Sequence, residues 1–301
     1  MASQKEISQT YDWIDEIFRK GIGAHGDYTC AFYNGDYSKT LEQAQKDKHT
    51  YILDGIHFKQ GQRVLDIGCG WGPILQAVKE RGGKGVGLTL SSAQAIWNTK
   101  SGLEVYLQDY KTADMKKFGP FDGIVSVGAF EHFCSVEEFE AGMQEEIYRQ
   151  FFKICANTLQ KGGRLYLQTM TWGSVVPDPK IRFGKYSVHS DEFHIFLAFL
   201  FFPGSWTPSG LEQIKRCAEP YFNFISANNG RLDYIQTLKE WGKRMNGLPS
   251  VKMAIAKLKL LPKFLSDGAF RKQLKFIGYG SQAEMFKRSL LTHYRILFEK
   301  K

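Results

Sequence analysis

Two short stretches carry the residue types that could do chemistry. In Val64-Leu65-Asp66-Ile67-Gly68-Cys69-Gly70-Trp71-Gly72 an apolar strand meets an acidic residue and three alternating glycines, and Pro73-Ile74-Leu75-Gln76-Ala77-Val78 then opens a helix. Glycine serves where backbone must turn sharply or come close to a ligand. A strand–turn–helix of this kind can cradle a dinucleotide. Here the spacing is G-x-G-x-G, not G-x-G-x-x-G, and Asp66 lies inside the strand end. The second stretch, Val127-Gly128-Ala129-Phe130-Glu131-His132-Phe133, puts a carboxylate and an imidazole directly after another apolar strand. A carboxylate there can face a substrate or a bound anion; a helix N-cap pair is the plainer reading. Asp109 and Tyr110, just past a third strand, are ligand neighbours or a polar turn.

The cysteines Cys30, Cys69, Cys134, Cys155 and Cys217 are odd in number and contain no C-x-x-C pair. Neither a disulfide framework nor a zinc site follows, and a reducing cytosol fits. Cys30 reads as a small buried hydrophobe, not a nucleophile. The chain has 301 residues, 43% hydrophobic and 24% charged, which allows one packed domain. Lys+Arg 40 against Asp+Glu 31 leave +9. That excess favours anionic lipid surfaces, acyl carrier proteins or nucleic acid, or serves solubility alone. The N-terminus is polar and lacks signal-peptide features. The longest apolar run, residues 195–202, is too short to span a bilayer. A cytoplasmic protein is expected, at most peripheral at the inner membrane face.

The elements that must position these residues follow from the changing hydrophobic period. Tyr11-Asp12-Trp13-Ile14 starts a helix, Asp27-Tyr28-Thr29-Cys30-Ala31-Phe32-Tyr33 is an aromatic loop, and Thr40 N-caps a helix over 41–53. Strands are expected at 64–67, 85–89, 104–107, 121–127 and 164–170. Helices fall at 73–80, from Ser91 or Ser92 to about Lys100, and over 136–159 as one long element. This alternation implies right-handed crossovers and a parallel sheet, with ligands at the carboxyl ends of its strands. Beyond Thr171 the pattern breaks. Pro177-Asp178-Pro179 is a turn or hinge, and helices at 191–202, 208–218, 233–245, 251–260 and 270–287 surround strands at 221–227 and 292–298. The inserted helices would form a lid over the carboxyl edge.

Several pieces together resemble the cyclopropane fatty acid and mycolic acid cyclopropane synthases. They are Tyr28-Thr29-Cys30-Ala31-Phe32, the Val64 to Gly72 loop with Trp71, Gly87-Leu88-Thr89-Leu90-Ser91, Gly128-Ala129-Phe130-Glu131-His132-Phe133, Phe202-Pro203-Gly204, Asp233-Tyr234-Ile235-Gln236-Thr237-Leu238 and Ala283-Glu284-Met285-Phe286. The likeness runs from about residue 11 to the C-terminus. It implies an α/β, doubly wound, seven-stranded Rossmann-like class I methyltransferase that uses S-adenosylmethionine (SAM). Residues 1–301 would form a single domain, with an N-terminal helical segment at 1–55 and cap helices in 171–220 and 231–289.

The resemblance also implies roles. Gly68, Gly70 and Gly72 would let backbone approach the methionine part of SAM, with Asp66 beside them. Thr89 and Leu90 would lie near the ribose, Gln94 would touch the cofactor, and Asp109 and Tyr110 would flank the adenine. Tyr28 and Thr29 would close over it. In the family an alkene attacks the activated methyl group, leaving a cation on an acyl chain. A bicarbonate ion, held in part by the matching glutamate, accepts the product proton. Cys30, Gly128, Glu131 and Tyr234 match that cradle, and His132 stands beside it. The family has a histidine where this chain has Gln168, and glutamine can donate hydrogen bonds to an anion but carries no charge. Bicarbonate binding and ring closure are thereby put in question. Aromatic faces near Tyr28, Phe130 and Tyr234 would stabilise the cation, and residues 195–202 would line an acyl channel or pack the core.

The expected partner is an unsaturated acyl lipid or another apolar small molecule, presented on an anionic membrane or an acyl carrier protein. The basic residues Lys252, Lys257, Lys259 and Lys263 could dock either. Rival readings are a methyl-branching enzyme without ring closure, an amine N-methyltransferase of the coclaurine type and a noncatalytic SAM-binding or lipid-carrier protein. Nucleic-acid methylation is disfavoured, because no Asn/Asp-Pro-Pro-aromatic motif follows the fourth strand.

Overall fold

Thr40 opens helix α1 (Leu41–Gly55) by accepting the Gln43 N–H on its hydroxyl at 3.2 Å. Such a cap stabilises a helix by about 1 kcal/mol. The computed structural model describes residues 22–23, 26–202, 204–247, 261–262, 264–268, 271 and 281–301. The expected helices at Tyr11 and at 251–260, part of that at 270–287, and Lys252, Lys257, Lys259 and Lys263 lie outside the described residues.

After α1 the chain alternates as expected. β1 (Arg63–Ile67) leads to α2 (Pro73–Glu80), β2 (Lys84–Thr89) to α3 (Ser92–Lys100), and β3 (Glu104–Leu107) to α4 (Met115–Phe118) and β4 (Phe121–Val127). Ser91 caps α3 by accepting the Gln94 N–H. Val64 to Ile67 are all buried, as befits a strand with neighbours on both edges and layers on both faces.

The expected long helix at 136–159 is two helices, α5 (Val136–Glu140) and α6 (Gln144–Thr158). Ser135 starts α5 with a reciprocal capping box to Glu138. Gly142, at φ +75°, takes the left-handed conformation that ends it. β5 (Leu159–Trp172) begins earlier than the residue pattern suggests, because Leu159 already pairs with Phe121 ahead of an irregularity before Arg164.

Beyond β5 come a short 3-10 turn at Pro179–Phe183, then α7 (Asp191–Phe201), α8 (Leu211–Ala218), β6 (Phe222–Asn229), α9 (Arg231–Asn246), α10 (Ser281–Lys287) and β7 (Leu291–Lys300). The seven strands form one sheet in the order β3-β2-β1-β4-β5-β7-β6. The first five are parallel, but β7 runs antiparallel to both β5 and β6, so the sheet is mixed. The reason is topological. The chain enters β7 at Leu291, opposite Trp172 at the carboxyl end of β5, and can only run back down the sheet. Order and directions are those of a doubly wound, Rossmann-like α/β fold. Among the described residues, no helix is long and apolar enough to cross a membrane.

Candidate active site

The carboxyl ends of β1, β2 and β4 open into one cleft. The cleft is half open to solvent and its lining is more apolar than polar. Asp66, Gly68, Gly70, Thr89, Leu90, Gln94, Asp109, Tyr110, Tyr28, Thr29, Gly128 and His132 all line it. Gly72 does not. It is the N-cap of α2 at φ +76°, and a β-carbon there would meet the side chains of Asn98 and Leu103, so glycine serves turn and packing at that position. Gly70 is the opposite case. It too has positive φ (+54°), yet a β-carbon would find no protein atom within 4 Å. Its backbone faces open space.

The cleft is polar where its floor is buried. Asp66 is 2% exposed, and its Oδ1 has no partner among the described residues. Burial, with the charge of Asp27 adding to it, raises its carboxyl to about 7. A buried carboxyl without a donor is costly, so this atom suits a ligand that brings one. Thr89 donates its hydroxyl to Gln94 Oε1 at 2.7 Å, fixing the side chain that opens α3. Asp109 accepts the Lys111 N–H at 2.9 Å, so the polar turn is real, and the residue still borders the cleft. Tyr110 packs its ring on Phe133 and Phe151.

A network that the residue pattern did not reveal holds the N-terminal wall. Lys48, fully buried on α1, lies 2.6 Å from Asp27 and 2.6 Å from Thr29 Oγ1, while His49 Nε2 lies 3.0 Å from Asp27. Burial pushes the Asp27 carboxyl up, but Lys48 and His49 outweigh it and hold it well below the usual carboxylate range. The signal was available: Lys48 and His49 share a helix face with Leu41, Ala44, Ile52 and Leu53. Tyr28, next to Asp27, stacks on Trp241 of α9 with centroids 5.1 Å apart.

Behind this wall lies a second, buried cluster. Glu131 sits in a 3-10 turn directly after β4 and is 4% exposed. Burial raises its carboxyl to about 7, although Thr169 donates to its Oε2 at 2.8 Å. A β-carbon on Gly128 would lie 3.9 Å from Glu131 Oε1 and 2.8 Å from Thr29 Cγ2, so glycine is what lets these three segments meet. Cys30 Sγ donates to the carbonyl of Gly230, which also accepts the Tyr234 N–H. Burial lifts the Cys30 thiol to about 12, so it is a donor and not a nucleophile. Gln168 donates to Cys30 O at 3.2 Å and accepts from Tyr166 OH at 3.1 Å. His132 pairs its Nδ1 with Ser205 Oγ at 2.9 Å, and burial lowers it to about 4, so it is neutral at pH 7.

The structure bears on three further sequence expectations. Phe130 does not face the cleft; it is fully buried against Tyr148 and Phe151. Residues 195–202 divide their work: Phe199 packs on Trp172 and Trp206, while Phe196, Phe199 and Leu200 also border a surface groove with Val136, Phe183 and Arg182. Tyr234 packs on Phe286 and His293, behind the cleft and not in its lining.

The likeness to known proteins agrees with this geometry. The family model of mycolic acid cyclopropane synthetase matches residues 1–263. Cyclopropane mycolic acid synthase 3 of Mycobacterium tuberculosis is 31% identical over 262 residues, 83% of this chain and 84% of the relative. The crystal structure of a mycolic acid cyclopropane synthase complexed with SAH and CTAB superposes with a TM-score of 0.77 at 26% identity, covering 99% of this chain and 98% of that one. Coclaurine N-methyltransferase, at 17% identity and a TM-score of 0.76 over all of this chain and 83% of its own, shares the fold. The chain therefore belongs to the mycolic acid cyclopropane synthetase family and is a SAM-dependent methyltransferase of class I fold.

Proposed function

We propose that this enzyme methylates a carbon of the double bond in an unsaturated acyl lipid and closes the product to a cyclopropane. The observation that carries the reading is the grouping of buried Cys30, Glu131 and Tyr234 with Gly128, four residues from three segments, of which Gly128 itself lines the cleft. When bound, SAM supplies an electrophilic methyl group on a sulfonium. The residues proposed to hold it are Asp66, Gly68 and Gly70 at its amino-acid arm, Thr89, Leu90 and Gln94 at the ribose, and Asp109 and Tyr110 at the base. Gly72 supports them from outside the lining. Tyr28 and Thr29 close the cleft from the N-terminal wall, and Tyr28 offers an aromatic face to a developing cation. His132, neutral and held by Ser205, shapes the mouth.

Glu131 orients the proton acceptor, which we read as bicarbonate. The donors beside Cys30 and Tyr234 fit a small oxyanion: the Cys30 thiol is protonated, and among the described residues the buried Arg295 Nε and His293 Nδ1 have no hydrogen-bond partner. The groove lined by Phe183, Phe196, Phe199 and Leu200, with Glu137 and Arg182 also in its lining, offers apolar walls to part of an acyl chain. We read residues 171–220 and 231–289 as a cap on a single domain; Tyr28 stacking on Trp241 and Tyr234 packing on Phe286 support that reading. An anionic membrane or an acyl carrier protein would present the lipid.

A second reading, methyl branching without a ring, is favoured by one observation. Gln168 spends its amide on Cys30 O and Tyr166 OH and stands where the family has a histidine. Turnover on unsaturated phospholipids, acyl-carrier thioesters and amines, with product mass and chromatographic separation of ring from branched products, tests the proposal. A lipid product heavier by one CH2 group that migrates as a cyclopropane supports it; turnover on amines alone overturns it.

A further inference from the structure

Between Trp172, the last residue of β5, and α7 the chain runs through a loop, residues 173–190. Because β5 is parallel to β4, the loop leaves the sheet on the same edge on which the cleft opens. Its two ends are tied down. Gly173 and Ser174 donate their N–H groups to Leu290 O at 2.9 Å and Ser289 O at 3.0 Å. Arg288 donates to the His189 carbonyl at 3.1 Å and to Asp191 Oδ1 at 2.9 Å. Between these ties, Asp178 caps the 3-10 turn by accepting the Lys180 N–H at 2.8 Å. The backbone is thus fixed while apolar side chains stand in solvent: Val175 is 66% exposed and Phe183 75%, and Val176 and Val188 are exposed as well.

Core packing does not explain side chains left this open; several on one segment mark an interaction surface. Their neighbours in the loop are cationic. Lys180 and Lys185 are exposed and form no ion pair among the described residues. Arg182 lies over the Phe183 ring at 4.7 Å and reaches Glu140 at 3.3 Å. Asp178 is the one acidic residue of the loop, and its carboxylate is turned onto the backbone of the turn. Phe183 is also a wall of the groove formed with Phe196, Phe199 and Leu200, so the loop and the groove share an aromatic side chain. We propose that the loop 173–190 is the surface by which this protein docks on a bilayer with anionic headgroups. Valine and phenylalanine enter the acyl boundary while Lys180 and Lys185 meet the phosphates.

Docked this way, the carboxyl edge of the sheet faces the membrane, and an acyl chain leaving the bilayer meets the apolar wall at Phe183 first. The two kinds of side chain give two signatures. Each lysine held near an anionic surface strengthens binding about fivefold, and the pair about thirtyfold at low salt. That part fades as salt rises, whereas burial of Val175 and Val176 does not. The choice of a bilayer as partner rests on the acyl-lipid substrate proposed above; docking itself is read without turnover.

The test is flotation of the SAH-loaded protein with vesicles of dioleoylphosphatidylglycerol and dioleoylphosphatidylcholine in equal parts, at low and high salt. The parent should float with these vesicles at low salt and far less with phosphatidylcholine alone. Lys180→Gln combined with Lys185→Gln should weaken binding about thirtyfold at low salt and little at high salt. Val175→Ser combined with Val176→Ser should weaken it at both. Lys84→Gln combined with Lys161→Gln removes the same charge from exposed positions at the amino ends of β2 and β5, on the opposite edge of the sheet, and should bind as the parent does. SAH affinity, unchanged in every variant, shows that the fold is intact. No flotation of the parent, equal flotation of the Lys180/Lys185 variant, or an equal loss in the Lys84/Lys161 variant overturns the inference. So does a dimer that forms without vesicles and is lost with the two valines, which would make the loop a contact between copies. Turnover of unsaturated lipid is scored separately. Turnover without loop-dependent flotation removes the docking surface and leaves the function; loop-dependent flotation without lipid turnover does the reverse.

Discussion

Replacing Glu131 with glutamine should stabilise the folded protein strongly at pH 8 and only weakly at pH 5. Burial raises this carboxyl from 4.5 to about 7. The sign is the reverse of the common carboxylate case. Between those pH values the unfolded chain has released its proton while the folded chain still holds it, so stability falls as pH rises through the window. At about 1.4 kcal/mol for each pH unit, ionised Glu131 costs the fold roughly 3 kcal/mol above pH 7. At pH 5 the cost is roughly 1 kcal/mol, because the unfolded carboxyl is only partly ionised. Glutamine retains an oxygen for the Thr169 hydroxyl but never ionises. Urea denaturation of the ligand-free parent and variant at both pH values isolates this residue, since Asp66 titrates equally in the two proteins. An equal difference at pH 5 and pH 8, or a variant less stable at pH 8, refutes the reasoning. The same variant should nearly lose ring formation, which would mark the carboxyl as kept for chemistry at the expense of stability.

Gly70→Leu should abolish SAM binding in calorimetry, because its side chain would enter the open space above the loop at a positive φ; unchanged affinity would remove Gly70 from the cofactor site. Lys48→Met should destabilise the fold by about 3–5 kcal/mol, since it strands the buried Asp27 carboxylate, and adding Asp27→Asn should recover part of that loss in denaturant titrations. If Lys48→Met unfolds at the parent's midpoint, the buried pair is not what holds the N-terminal wall. Vesicles with anionic headgroups should bind the protein and raise turnover of unsaturated lipid in a salt-sensitive way; flotation showing no binding at low salt would leave an acyl carrier as the presenting partner.

Local residue patterns determined much of the framework. The apolar strand, alternating glycines and Pro73 at the first turn of α2 specify a strand–turn–helix whatever surrounds them. Thr40 and Ser91 mark helix starts through bonds to backbone only three residues on. The residues that line the cleft are legible for the same reason: most sit at strand ends, and the sheet topology brings those ends together.

What the pattern could not decide depends on contacts between distant segments. Residues 136–159 carry one helical period, and only Gly142 in a left-handed turn splits them. Lys48 and His49 share the apolar face of α1, but only the tertiary fold brings Asp27 to them as a partner, and Phe130 reads as a cleft aromatic until α6 packs on it. Arg295 bonds Ala31 and Asp233, far from it in the chain, and no spacing along β7 announces either partner. Local spacing encodes backbone conformation, which is settled over a few residues. A buried polar group is settled by which segments close over it, and that is a property of the tertiary structure alone.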